Sequence, residues 1–254
     1  MKKMIAILAV AMLLWGASAS ADTLDFLKPF WMQMMDGVSN TASGKIPENV
    51  TVTCTDERLT VEACGVLLEN DYSAEAHVYA VLKNTGSERL PIRSVQMTVL
   101  GANGNTLHQE NYVSYMPSVV EPGETMLVSE WMYDFVKEIG KVDSIQISVE
   151  TASRAHEKWK QLGDVRAWLD GDYLCVEFTN TTEKTLFGVI CAATVSDANG
   201  QILDMMMQSP YDTDDLGIAQ GSSVVWRKRL EDAATLKIGT DAVCKAWAYW
   251  MEDL

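Results

Sequence analysis

The sequence predicts an all-β protein of two tandem immunoglobulin-like antiparallel β-sandwiches with a short N-terminal helix. Three observations predict it. The chain matches itself at a fixed offset, apolar residues recur at period two in both copies, and glycine-bearing turns fall at corresponding places. Shifted by 96 residues, Val78–Leu107 lies on Leu174–Leu203 without a gap. Asn84-Thr85 falls on Asn180-Thr181, Leu90 on Leu186, Thr98-Val99 on Thr194-Val195, and Ala102-Asn103-Gly104 on Ala198-Asn199-Gly200. Pro122-Gly123-Glu124 meets Gln220-Gly221-Ser222 after two extra residues in the second copy. A period this long indicates duplicated domains, because solenoid units run to about 20–50 residues.

The elements follow in chain order. Met1-Lys2-Lys3 is a basic start, Met4–Trp15 an apolar run, and Ala19-Ser20-Ala21 a small-residue cleavage pattern. Residues 1–21 are therefore expected to be a signal peptide, cleaved after Ala21. The apolar run is shorter than the roughly 20 residues a membrane span needs. No second long run follows. The mature chain is thus expected to be secreted or extracytoplasmic, in a periplasm or at a cell surface, and not to span a membrane. Residues 22–47 are expected to form an amphipathic helix and a polar linker. Leu24, Leu27, Trp31 and Met34 or Met35 fall on one helical face, with Asp22 or Thr23 as cap.

Residues 48–153 are the first predicted sandwich. Val50–Cys54 and Leu59–Val66 read as opening strands. Val78, Ala80 and Leu82 then point inward, and His77, Tyr79 and Val81 toward the wetter side. Val95, Met97 and Val99 form the next inward face, and Asn103-Gly104 supplies the positive φ a tight hairpin needs. Glu121–Glu124 is a second turn, Met126 and Val128 resume a strand, and Ile145, Ile147 and Val149 close the copy. Residues 154–254 are the second sandwich, reached through a charged stretch over 152–162 that reads as a helical connector. Val165, Ala167 and Leu169 oppose Trp168. Leu174, Val176 and Phe178 oppose Tyr173, Cys175 and Glu177. Cys191, Ala193 and Val195 follow, then the Asn199-Gly200 turn and a closing strand over Val243–Tyr249. Many short strands between turns indicate a sandwich.

The run Asn84-Thr85-Gly86, a strand, Ala102-Asn103-Gly104, then Pro122-Gly123-Glu124 resembles FxLYD-type and related immunoglobulin-like modules of bacterial exported proteins. Asn180-Thr181-Thr182 and Asp197-Ala198-Asn199-Gly200 repeat the pattern. The resemblance implies an extracytoplasmic interaction or spacer module without catalytic residues.

The formal net charge is −15. That argues against nucleic acid as a partner and against anionic membrane surfaces, which select basic patches. Export permits disulfides. Cys191 with Cys244, and Cys54 with Cys64, are the candidate pairs, leaving Cys175 free on an outer face. Asp212, Asp214 and Asp215, in a loop ending at Gly217, suit a hard cation such as calcium. The same composition also suits a plain acidic turn. Met205-Met206-Met207 offers soft thioethers of the kind copper(I) takes, although alternate residues of a strand point to opposite faces. His77, His108 and His156 have no nucleophile motif near them in sequence, so no catalytic residue is expected. Trp131, Trp159, Trp168, Trp226, Trp247 and Trp250 include candidates for a docking surface wherever they lie outside. Together these point to a non-catalytic interaction module for a protein or glycan. An extracytoplasmic small-ligand or sensor protein is the alternative. A hydrolase would need a histidine within reach of Ser, Asp or Glu in a cleft.

Overall fold

The computed structural model describes residues 45–47, 50–69, 75–132, 142–153, 158–208, 217–230, 238 and 241–252. The signal peptide and helix expected over 1–38, and the loop holding Asp212, Asp214 and Asp215, lie outside these residues.

The chain is all-β among the described residues. In the first copy the strands are β1 (Lys45–Pro47), β2 (Thr51–Cys54), β3 (Leu59–Glu69), β4 (Glu75–Asn84) and β5 (Leu90–Gly101). They continue as β6 (Thr106–Glu110), β7 (Ser114–Met116), β8 (Val119–Val120), β9 (Thr125–Met132) and β10 (Val142–Thr151). The second copy holds β11 (Trp159–Gln161), β12 (Arg166–Asp170), β13 (Tyr173–Thr179), β14 (Ile190–Ser196), β15 (Ile202–Gln208), β16 (Ser223–Arg229) and β17 (Val243–Met251).

Four sheets result. Sheet I has the order β2-β10-β5-β6, with β8 also on β5, and sheet II the order β1-β3-β4-β9-β7. Sheet III is β11-β17-β14-β15 and sheet IV is β12-β13-β16. Pairing is antiparallel except for β2, which lies parallel to β10. Two stretches differ from the sequence reading. Lys45–Pro47, read as linker, pairs with Leu67–Glu69. Trp159–Gln161, read as helical, pairs with Tyr249–Met251. Both segments find an open sheet edge, whose unpaired N–H and C=O groups accept a strand whatever its charge.

Val78, Ala80 and Leu82 meet Val95, Met97, Val99, Ile145 and Ile147 between sheets I and II. The period-two pattern therefore builds the first core as expected. The buried Asn84 explains why the repeat keeps its asparagine. Its Nδ2 donates to the carbonyls of Glu88 at 2.8 Å and Val120 at 3.0 Å, and its Oδ1 accepts from the Gly86 N–H at 3.0 Å. Asn180 does the same with Lys184 at 2.8 Å, Ile218 at 2.7 Å and the Thr182 N–H at 3.0 Å. The main chains correspond as well: Gly123 N–H bonds to Asn84 O, and Gly221 N–H to Asn180 O, each at 2.8 Å. Gly123 (φ 82°) and Gly221 (φ 75°) take the left-handed conformation this turn requires.

The wetter face expected for β4 is covered instead. His77, Tyr79 and Val81 are buried. Tyr79, Val81, Leu67, Met116 and Leu127 join one apolar cluster with Ala192, Leu203, Met205 and Trp247 of the second copy. The outer face of sheet II thus packs on the outer face of sheet III, and the layers stack I, II, III, IV. Sheet III is buried on both sides: Ala192, Thr194 and Ser196 are as buried as Cys191, Ala193 and Val195.

The crossing is close to orthogonal. Gly65, Tyr79, Ser129 and Ser114 form one cross-strand row of sheet II. β15 follows that row. A Cβ on Gly65 would lie 1.8 Å from the Ile202 carbonyl oxygen. Next along, the Tyr79 hydroxyl donates to Asp204 Oδ1 at 3.4 Å. Beyond it, Met205 and Met207 share a cleft with Ser129 and Ser114. Further down the strands of sheet II, Tyr249 Oη donates to the Thr125 carbonyl at 3.0 Å, and Trp159 Nε1 to Ser118 Oγ at 2.9 Å. Strands of twisted sheets that cross at right angles meet in this manner.

Burial, partly offset by the Thr125 side-chain hydroxyl at 3.4 Å, pushes the Tyr249 phenol far above its usual 10.0. The folded state therefore holds the proton while the unfolded chain ionises. Stability from this group is intact below pH 10.0 and falls as pH rises through and beyond it. Tyr249→Phe is expected to flatten that alkaline loss, read from denaturation midpoints across pH. A slope identical to wild type refutes the assignment.

Candidate functional site

The outer face of sheet IV is open to solvent and carries an ordered grid of side chains. Across β12 and β13, Arg166 faces Glu177, Trp168 faces Cys175, and Asp170 faces Tyr173. Across β13 and β16, Glu177 faces Val225, Cys175 faces Arg227, and Tyr173 faces Arg229. Period two sends these residues outward while Leu174, Val176 and Phe178 enter the core. The Arg166 guanidinium lies 5.1 Å from the Trp168 ring centroid and pairs with Glu177. Arg227 lies 5.6 Å from the Tyr173 ring and pairs with Asp170. These pairs steady the aromatic rings, since cations favour ring faces. Tyr173 is 41% and Val225 49% exposed. Three arginines against two carboxylates make this face locally cationic on an acidic chain.

Cys175, expected free on this outer face, sits at the centre of the grid but fully buried. The short reach of a thiol explains it: the larger neighbours Trp168, Tyr173 and Arg227 close over the sulfur. The other cysteine expectations need correction too, since all five are free thiols. Cys191 stands opposite Ala248, and Cys244 opposite Val195, four register positions apart on neighbouring strands. At about 3.4 Å per residue that offset exceeds any disulfide span. Cys54 and Cys64 each pack against the first core, in different sheets. Burial pushes the thiols of Cys54, Cys64, Cys191 and Cys244 up, which keeps them protonated.

A second candidate region follows the seam between sheets II and III. One cleft of about 440 Å³ is lined by Ser114, Met116, Ser129, Lys228 and the run Met205-Met206-Met207, among others. Another, of about 410 Å³, lies between Cys64–Val66 and Asn199–Gln201. The buried Asp204 anchors the first: Oδ1 accepts from Lys228 Nζ at 2.7 Å and the Met205 N–H at 2.7 Å, and Lys228 also donates to the Met205 carbonyl at 2.9 Å.

The remaining sequence candidates divide clearly. His77 Nδ1 is 3.4 Å from the Tyr79 hydroxyl, and its ring lies 4.4 Å from that of Trp131. His108 lies in β6, and His156 is outside the described residues. Trp226 packs on Phe178 at 5.1 Å, and Trp247 and Trp250 are buried. Among the described tryptophans, Trp168 alone belongs to the grid. Arg166, Tyr173 and Arg227 were not singled out by sequence reasoning. The signal was present in the alternation of Arg166, Trp168 and Asp170 with apolar residues.

No family model matches the chain. No curated protein matches it either. Among solved structures, a red sea bream transglutaminase is similar at 12% identity and a TM-score of 0.21, over 68% of this chain and 27% of that one. The chain thus spans about a quarter of that enzyme's length.

Proposed function

We propose that this is an exported, non-catalytic interaction module of the FxLYD-type immunoglobulin-like class, which docks a protein or glycan partner on the outer face of sheet IV. The observation that carries the reading is the grid of Trp168, Tyr173, Arg166 and Arg227 on a sheet face that no described strand covers. Planar rings give large contact area for little lost rotamer entropy, and arginine and aromatic residues dominate binding hot spots. The ion pairs fix the rings before a partner arrives, which lowers the ordering cost of binding. The acidic remainder of the surface fits a soluble exported chain.

The test is capture on glycan arrays and by photo-crosslinking from an extracytoplasmic fraction, with Trp168→Ala and Arg227→Ala beside wild type. Loss of a single central hot-spot side chain is expected to weaken binding by at least about 2 kcal/mol, some thirtyfold. Binding that survives both substitutions unchanged refutes the site.

A second reading, an extracytoplasmic small-ligand or sensor protein, draws on the seam cleft of about 440 Å³. That volume falls in the ligand-pocket range of about 300–1,000 Å³.

A further inference from the structure

We propose that the thioethers of Met116, Met205 and Met207 form a binding site for copper(I) in the cleft between sheets II and III. The inference goes beyond the docking reading and shares no residue with the sheet IV grid.

The placement comes from register. Met205 and Met207 stand opposite Thr194 and Ala192, so both point from sheet III toward sheet II. Met206 also borders the cleft, but it stands opposite Ala193, so its side chain leaves β15 on the other face of sheet III. The alternation that separates three successive methionines therefore keeps two of them together. The first copy supplies the third: Met116 lines the same cleft from β7. The room between them exists because sheet II has serine at both positions of one cross-strand pair, Ser114 and Ser129.

The donor set selects the ion. Thioether sulfur is neutral and polarisable, and suits soft copper(I) rather than hard calcium or magnesium, which take oxygen ligands. Methionine also needs no deprotonation to bind, unlike the buried thiols of this chain. The charge at the cleft wall is already balanced. Lys228 is held by Asp204 at 2.7 Å, so an entering monovalent cation meets a neutral pair rather than a bare ammonium. Unbranched methionine side chains adjust to bring sulfur onto an ion without moving the strands.

The experiment uses the full chain labelled with methyl-¹³C methionine. Silver(I), a redox-inert stand-in, and then copper(I) under anaerobic ascorbate are titrated in against a bicinchoninate competitor. Of 14 methionines, the methyl signals of Met116, Met205 and Met207 are expected to shift together at the first equivalent. The triple variant Met116→Leu, Met205→Leu, Met207→Leu keeps side-chain volume. It is expected to lose that equivalent, while Met206→Leu and Trp168→Ala keep it. The proposal is overturned if the three methyls stay still while ion is taken up elsewhere, by thiols for example. It is equally overturned if the triple variant still withholds the ion from the competitor, or if neither ion binds. Wild-type methyl shifts alone decide the matter if the triple variant does not fold.

Discussion

Asn84→Leu is expected to cost the protein several kcal/mol, and Asn180→Leu about as much. Each change takes the side-chain donor from one buried and one part-buried carbonyl: Val120 and Glu88 in one copy, Ile218 and Lys184 in the other. Each also strips the acceptor from a backbone N–H, at Gly86 or Thr182. A buried polar group left unpaired costs about 1–3 kcal/mol. One buried loss with two part-buried ones beside it is a large share of the stability of an ordinary domain, about 5–15 kcal/mol. Asn84→Asp is expected to be no milder, because a carboxylate has no N–H to offer a carbonyl. Denaturant midpoints at fixed slope measure both positions. A variant within about 0.5 kcal/mol of wild type would show that the asparagine is decorative, as ordinary surface changes are.

The second large effect is expected at Gly65. A methyl there falls 1.8 Å from the Ile202 carbonyl oxygen and 2.7 Å from its carbon. That neighbour is backbone, fixed by pairing of Ile202 with Ser196, so it cannot rotate aside. Overpacking costs about 1–3 kcal/mol where side chains can yield. Here the sheets themselves must part, and Gly65→Val is expected to exceed Gly65→Ala. The opened seam frees the Tyr249 hydroxyl, so its phenolate absorbance rises at lower pH than in wild type, while far-ultraviolet dichroism keeps its strand signature. Gly163→Ala serves as control, since nothing lies within 4 Å of the added atom. If both glycine variants behave alike, the close approach of sheets II and III does not limit stability.

Particular residues show how far the sequence carries and where it stops. Strand positions in both cores follow from period two, because burial on one face imposes it directly on the chain. The matching turns at Gly104 and Gly200 follow from a φ that glycine adopts without strain, 73° and 86°. Asn84 and Asn180 were visible as a matched pair, yet their work was not, because a turn asparagine and a buried one look alike in sequence. The stacking of sheets II and III was missed at His77, Tyr79 and Val81. That row mixes polar and apolar groups as a solvated face would, and what covers it lies more than a hundred residues away. The run Ile190-Cys191-Ala192-Ala193-Thr194-Val195 held the available hint, since a near-continuous apolar strand is one buried on both faces. The Cys191–Cys244 pairing failed for a related reason: neighbouring strands can be guessed, but register sets which residues meet. The outer grid was legible only in part, through Trp168, since its arginines and carboxylates read individually as ordinary surface charge.

The double burial of sheet III bears on how such a gene can change. Ancestral copies of a duplicated module are interchangeable, and each survives excision. Here the second half relies on the first to cover one face of sheet III. Expressed alone, it would bare Ala192, Thr194, Met205 and Trp247 on one face of sheet III. Recombination that swaps either half for a foreign cassette must therefore carry a matching surface with it, and the pair is inherited as one indivisible body.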